Sequence, residues 1–169
     1  MKRHKLFSLI FLLFLMFMFS CENEEEQMEY AKIYFPLSTR ATNGVFVANF
    51  DFTKDTTFIV GAYCAGSILP TQDVSVQIAF AEDLLTESQV TNPALAGYEL
   101  LPASAYEVSP EDMIVTIKKG TERGDIKITF HNTNLDDSKQ YILPLKIAST
   151  SQYEISPTHG TLFFGIKKQ

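Results

Sequence analysis

Few side chains in this 169-residue chain have types and spacings that could do chemistry. Cys21 stands where an apolar run ends and an acidic cluster begins, in MFSCENEEEQ at residues 18–27. Its chemistry is that of a sulfur nucleophile able to carry a covalent group. Cys64 lies in FIVGAYC, a strand-like stretch where a free cysteine serves as a small buried apolar residue. His131 and His159 fall at the ends of separate predicted strands. The sequence has no GxSxG elbow, HExxH pair or glycine-rich phosphate loop. Asp136-Asp137 and Glu111-Asp112 are paired carboxylates, but both sit in predicted turns, where solvated acids are the default. The loop at residues 131–137 alternates oxygen side chains as a calcium loop does, yet Asp137 stands where glycine is required and Leu143 where a bidentate glutamate is required. A solvated turn is the expectation there, with an irregular calcium site between Asn132 and Asp137 left open. No catalytic residue, metal or cofactor is expected, and the protein is read as not an enzyme. With no tryptophan and seven tyrosines, the aromatic side chains that could meet a ligand on a loop or exposed face are Tyr63, Tyr98, Tyr106 and Tyr153. Half-buried packing is the competing role for each of them.

The first element that positions any of this is a leader. Lys2, Arg3 and Lys5 precede an apolar run at residues 6–19 broken only by Ser8. That run is shorter than the roughly 20 residues a spanning helix needs. Ser20 places a small residue directly before Cys21. Basic start, apolar core and Ser20-Cys21 together resemble a bacterial lipoprotein signal, with Met18 and Phe19 bulkier than the usual pattern. The resemblance implies removal of residues 1–20, a diacylglyceryl thioether on Cys21 and acylation, for example with palmitate, of the new amino terminus. Three chains, at about 0.8 kcal/mol per buried methylene, would anchor firmly. An ordinary secretory signal or an uncleaved anchor is the competing reading. Glu22, Glu24, Glu25 and Glu26 form a self-repelling block, read as an acidic tether over residues 21–29. The same cluster resembles the export signal of Bacteroidetes surface lipoproteins, which implies an outer-membrane, surface-exposed location.

Without residues 1–20 the chain keeps all 20 acidic side chains and loses Lys2, Arg3 and Lys5 from its 14 basic ones, leaving a formal charge of −9. Such a charge disfavours nucleic acid as a partner. About 150 residues suffice for one independent core, expected over residues 30–169.

Strand signals dominate that stretch. Residues 31–35, 45–50, 56–63, 105–108, 113–118, 125–130, 140–148 and 161–167 are rich in β-branched and aromatic types. Val74, Val76, Ile78 and Phe80 alternate with polar or small residues, as do Ile126, Ile128 and Phe130, then Leu162, Phe164 and Ile166. Residues 120–124 are predicted to close a hairpin between two strands. Pro144 opposes the buried face of Tyr141, Leu143, Leu145 and Ile147, which predicts an edge or a bulge. Residues 81–90 predict a short helix crossing between sheets, stopped by Thr91-Asn92-Pro93. Eight or nine short strands with one helix predict an all-β, antiparallel β-sandwich. Leu135 and Tyr141, at the mouth of a strand, resemble the tyrosine corner of immunoglobulin-like sandwiches.

Three blocks in order carry a wider resemblance: YELLPASAY at residues 98–106, VTIKKG at 115–120 and YILPLKI at 141–147. They are similar to the immunoglobulin-like amino-terminal domain of unknown function found in many Bacteroidetes surface lipoproteins, over roughly residues 30–167. In longer relatives this domain precedes a lectin-like or chitinase-type domain, and here it is expected to stand alone. The resemblance implies a lipid-anchored, non-catalytic accessory glycan-binding or adhesive protein of a polysaccharide-utilisation system, with the outer membrane and a polysaccharide as partners. The competing expectation is a structural module that docks another envelope protein through an edge strand or flat patch.

Overall fold

Side chains with a period of two decide the architecture, because every long strand then has one apolar face to hide. In the computed structural model, which describes residues 31–50, 54–131, 135–136 and 138–168, those faces close on one another as two sheets. The strands are β1 (Lys32–Tyr34), β2 (Val45–Phe50), β3 (Thr56–Ala65), β4 (Val74–Phe80), β5 (Tyr98–Leu100), β6 (Tyr106–Ser109), β7 (Ile114–Ile117), β8 (Arg123–Phe130), β9 (Gln140–Thr150), β10 (Glu154–Ile155) and β11 (Thr161–Lys168). One helix, α1 (Glu82–Thr91), lies between β4 and β5. The first sheet runs β10-β1-β3-β8-β6 and the second β2-β11-β9-β4-β7, with β5 added to β9. The expected all-β sandwich with one helix is therefore present, with eleven strands among the described residues. Most pairs are antiparallel, while β1 with β10, β2 with β11 and β5 with β9 run parallel.

Ile33, Val60, Ala62, Cys64, Ile126 and Ile128 from the first sheet meet Val76, Ile78, Leu143, Leu145, Leu162 and Ile166 from the second. Phenylalanines bridge the two at one end. Phe164 stacks on Phe130 with ring centroids 5.6 Å apart and meets Phe58 edge-on at 4.9 Å, and Phe50 lies 5.0 Å from Phe130. The buried rings of Phe50, Phe130 and Phe164 each contribute roughly 1.5–3 kcal/mol through apolar burial, and tilted pairs add to it. Cys64 takes the buried apolar role, and burial pushes its thiol upward in pKa. The Tyr141 phenol oxygen accepts a hydrogen bond from the Asp136 N–H at 3.1 Å, the corner bond expected from sequence.

Four expectations are corrected. Residues 120–124 do not close a hairpin: β7 pairs with β4 in the second sheet, and β8 pairs with β3 and β6 in the first. The chain crosses between layers there. Gly124 permits the crossing, since a Cβ would stand 3.1 Å from the Thr116 carbonyl carbon and 3.2 Å from its oxygen. Pro144 is not on an edge strand, because β9 is central in its sheet. On one side β9 pairs with β11; on the other, β5 takes Gln140 to Ile142 and β4 takes Leu145 to Thr150. Pro144 falls in the seam between β5 and β4, where its missing N–H removes no ladder bond, and its carbonyl accepts from Ala81 N at 3.0 Å. The helix does not cross between sheets, since β4 and β5 flank it on that same edge of β9. Phe80 is 37% exposed, its ring against Tyr106 at 5.5 Å, beyond a register shift between Gln77 and Ile78.

Candidate functional site

The two outer faces of the sandwich are made from opposite parities of their strands. On the second sheet these residues include Val45, Ile142 and Phe163, too apolar to leave in water. Leu85 of α1, Leu95 of the following 3-10 turn and Tyr98 of β5 cover them. Asn92 secures this cover: its side chain donates to Asn43 O at 2.9 Å and accepts from Ala94 N at 3.1 Å.

On the first sheet no helix or strand among the described residues lies over the outer face. Its outer residues form rungs set by register: Tyr34 opposite Tyr63 and Tyr63 opposite Arg123, then Gly61 opposite Asp125, then Ile59 opposite Lys127. Tyr34 and Tyr63 meet edge-to-face at 6.3 Å, and the Arg123 guanidinium carbon stands 5.5 Å from the Tyr63 ring centroid. Arg123 Nε donates to Asp125 Oδ1, and that carboxylate holds the guanidinium above its ordinary pKa. Gly61 makes room for the group. A Cβ there would stand 2.8 Å from both Asp125 Oδ1 and Tyr63 Cε2, so any larger residue pushes the charged pair and the ring apart. Beside Gly61 the 3-10 turn Pro36–Arg40 raises a wall, and the depression so formed, about 180 Å³, is lined by Leu37, Arg40, Ile59, Tyr63 and Arg123 among others.

This arrangement offers an aromatic ring, an apolar floor from Leu37 and Ile59, two guanidinium groups and one carboxylate on a rigid sheet. Such a set presents an apolar surface with hydrogen-bond donors and acceptors beside it, the chemistry that a small polar ligand with an apolar face requires. It holds no nucleophile with a base beside it.

Tyr63 is the one sequence candidate on this face. Tyr98 packs half-buried under the helix, its ring against Gly165, and burial raises its pKa. Tyr106 packs against the core and Phe80, its pKa raised by burial and by the charge of Glu82. Tyr153 adopts a left-handed φ of 66° in the turn after β9 and packs against the core, its pKa raised by burial and by Cys64. The four candidates are not brought together. Tyr34 and Arg123 escaped the sequence reading, although Tyr34 lies between the buried Ile33 and Phe35 and so had to face outward. Cys21 and Glu22, Glu24, Glu25 and Glu26 lie outside the described residues, as do positions 132–134 and 137 of the oxygen-rich loop. Among the described residues no three His, Cys, Asp or Glu side chains are placed to hold a metal ion.

A second depression, about 280 Å³, lies between the Pro36–Arg40 turn and the end of α1. Ser38 Oγ stands 3.0 Å from His159 Nδ1 there. The serine hydroxyl donates to Phe35 O at 2.7 Å, so its proton is not presented to the imidazole. No carboxylate among the described residues forms an ion pair with His159. The pair is a brace between loops.

With this geometry in hand, comparison with known proteins places the chain. A provisionally classed carbohydrate-binding protein of Bacteroides ovatus shares the fold with a TM-score of 0.62 at 20% identity, covering 81% of this chain and 37% of that one. A Bacteroides ovatus protein of unknown function gives 0.63 at 19% identity, covering 86% and 47%. An auxiliary nutrient binding protein of Bacteroides thetaiotaomicron gives 0.54 at 18% identity, covering 76% and 46%. The chain thus spans less than half the length of each of these structures. No curated protein sequence matches it. A family model described as "-like, N-terminal domain" matches residues 27–154, most of the chain. The protein belongs to that family, a Bacteroidetes amino-terminal domain of unknown function with a β-sandwich fold.

Proposed function

We propose that the protein is a non-catalytic, glycan-binding accessory module, anchored by lipid on Cys21 to the outer membrane and exposed at the cell surface. The observation that carries this reading is the uncovered face of the first sheet, where Tyr34, Tyr63, Arg123 and Asp125 sit together around Gly61. Support comes also from neighbours of the same fold described as carbohydrate or nutrient binding. The leader and Ser20-Cys21 supply the anchoring part of the proposal, and Glu22, Glu24, Glu25 and Glu26 the surface part.

A panel of plant and host polysaccharides tested against the detergent-purified full chain is the direct experiment. Saturable binding to at least one polymer, lost in Tyr63→Ala, is expected; binding that is absent throughout, or indifferent to Tyr63, would overturn the reading. Mass spectrometry of the native protein should find Cys21 as the first residue with a lipid mass on it. Alanine at Glu24, Glu25 and Glu26 should protect the protein from external protease on intact cells.

Docking of another envelope protein is the second reading. Ile114, 44% exposed on the edge strand β7, favours it. Recovery of one outer-membrane partner in stoichiometric amount, lost in Ile114→Lys, would decide for it.

A further inference from the structure

Resting on the glycan reading, we infer that the first sheet's outer face selects an acidic polysaccharide, one whose sugar rings carry carboxylates, with Arg40 as the residue that takes the carboxylate.

Arginine is scarce in this protein. The sequence contains three, and one of them, Arg3, lies outside the described residues. The other two, Arg40 and Arg123, line the same depression, although they are 83 positions apart in the sequence. Their states differ. Arg123 is engaged by Asp125 and lies against the Tyr63 ring. Arg40 is exposed at the end of the Pro36–Arg40 turn, and no hydrogen bond or ion pair occupies its guanidinium among the described residues. Lys127 is equally unpaired among them, one rung beyond Asp125, next to the exposed Ile59. Lys32, at the far end of the same face, is by contrast held by Glu154 at 3.3 Å.

A chain of formal charge −6 therefore gathers both of its described arginines at one apolar-floored depression and leaves one of them free. A guanidinium presents a planar fork that matches a carboxylate with two parallel hydrogen bonds. The paired Arg123-Asp125 group is neutral as a unit and suits sugar hydroxyls, as donor and acceptor side by side. Leu37 and Ile59 supply the apolar contact that the carbon face of a pyranose needs. The one free guanidinium fits one monovalent carboxylate at a time. A densely sulfated polymer carries more charge per ring and would meet Asp125 in the site and stronger repulsion from the acidic remainder of the protein. A uronic acid polymer presents at most one monovalent carboxylate per ring.

The test compares polymers that differ only in charge. Detergent-purified full chain is titrated with polygalacturonate, alginate and hyaluronan, each alongside its carboxyl-esterified derivative, with the neutral polymers xylan and mannan and the sulfated polymer heparin as further probes. Expected is binding to at least one carboxylated polymer, weaker by about tenfold for its esterified form and by about tenfold in Arg40→Gln. It should also weaken as salt rises from 0.05 to about 0.15 M and the Debye length shrinks to about 8 Å. Arg40→Lys should recover only part of the loss, because an ammonium lacks the fork. Equal binding of the esterified and free polymers, or binding confined to neutral glycans, overturns the inference and leaves the glycan reading standing. Heparin bound more tightly than every sulfate-free carboxylated polymer overturns the choice of carboxylate. Binding to none of them overturns both.

Discussion

The two outer faces of this sandwich are built by the same alternation and meet opposite fates. The second sheet turns Val45, Ile142 and Phe163 outward and pays for a helix and a turn to cover them. The first sheet turns out Tyr34, Ile59, Tyr63, Arg123, Asp125, Lys127 and Thr129, and no helix or strand among the described residues lies over it. Several apolar residues side by side in the outward register demand a lid, whereas aromatic and charged residues around a single exposed Ile59 can stay in water and meet a ligand. One face therefore serves stability and the other is available for recognition, and substitutions should separate the two.

The largest separation should come from Leu95→Ala. Leu95, part of the cover, is 1% exposed, and truncating it should cost about 2–5 kcal/mol in a denaturant titration while leaving any glycan affinity of the remaining folded protein unchanged. Tyr63→Ala should do the reverse: a stability loss under about 1 kcal/mol, with binding weakened at least tenfold, about 1.4 kcal/mol. If Tyr63→Ala unfolds the protein, the contrast between the faces fails. Tyr141→Phe touches neither face. Losing the bond from Asp136 N–H should cost about 0.5–1.5 kcal/mol, seen as a lower denaturant midpoint with unaltered binding.

The smallest effect belongs to His131, which extends the bare face beyond β8. Its Nδ1 lies 2.8 Å from Asp55 Oδ2 and its Nε2 3.7 Å from Glu107 Oε1. Asp55 first, then Glu107, raises its pKa above the ordinary 6.5. A raised value means the folded protein holds this proton more tightly than the unfolded chain. The stabilisation is fully present below about pH 6.5 and fades as pH climbs through the folded-state value. A melting-temperature profile between pH 5 and 8 should fall across that window, and His131→Gln should flatten it.

Much of this contrast was legible in the sequence. Val74, Val76 and Ile78, like Ile126, Ile128 and Phe130, announce which side of each strand is buried, and Tyr141 announces its corner. Pairing was not legible. A glycine-flanked turn at residues 120–124 looks the same whether the chain folds back within a sheet or steps to the other, since local backbone freedom does not specify a partner. The site depended on that missing information. Tyr34, in a three-residue strand, shows too little alternation to be noticed, and Arg123 becomes part of the site only once β3 and β8 are placed in register. Pro144 misled for a related reason: its tolerance follows from two neighbours sharing one flank of β9, which no single segment reveals.

That shared flank has a further consequence. Because β4 departs from β9 and β5 rejoins it on either side of Pro144, everything from Ala81 to Gly97 is a detour that begins and ends at the same place. Its length can change without shifting any hydrogen-bonded register elsewhere, provided something oily still shields Ile142 and Phe163. The sandwich thus has a mounting bracket on its back, where evolution or an engineer can swap one attachment for another while the front stays as it is.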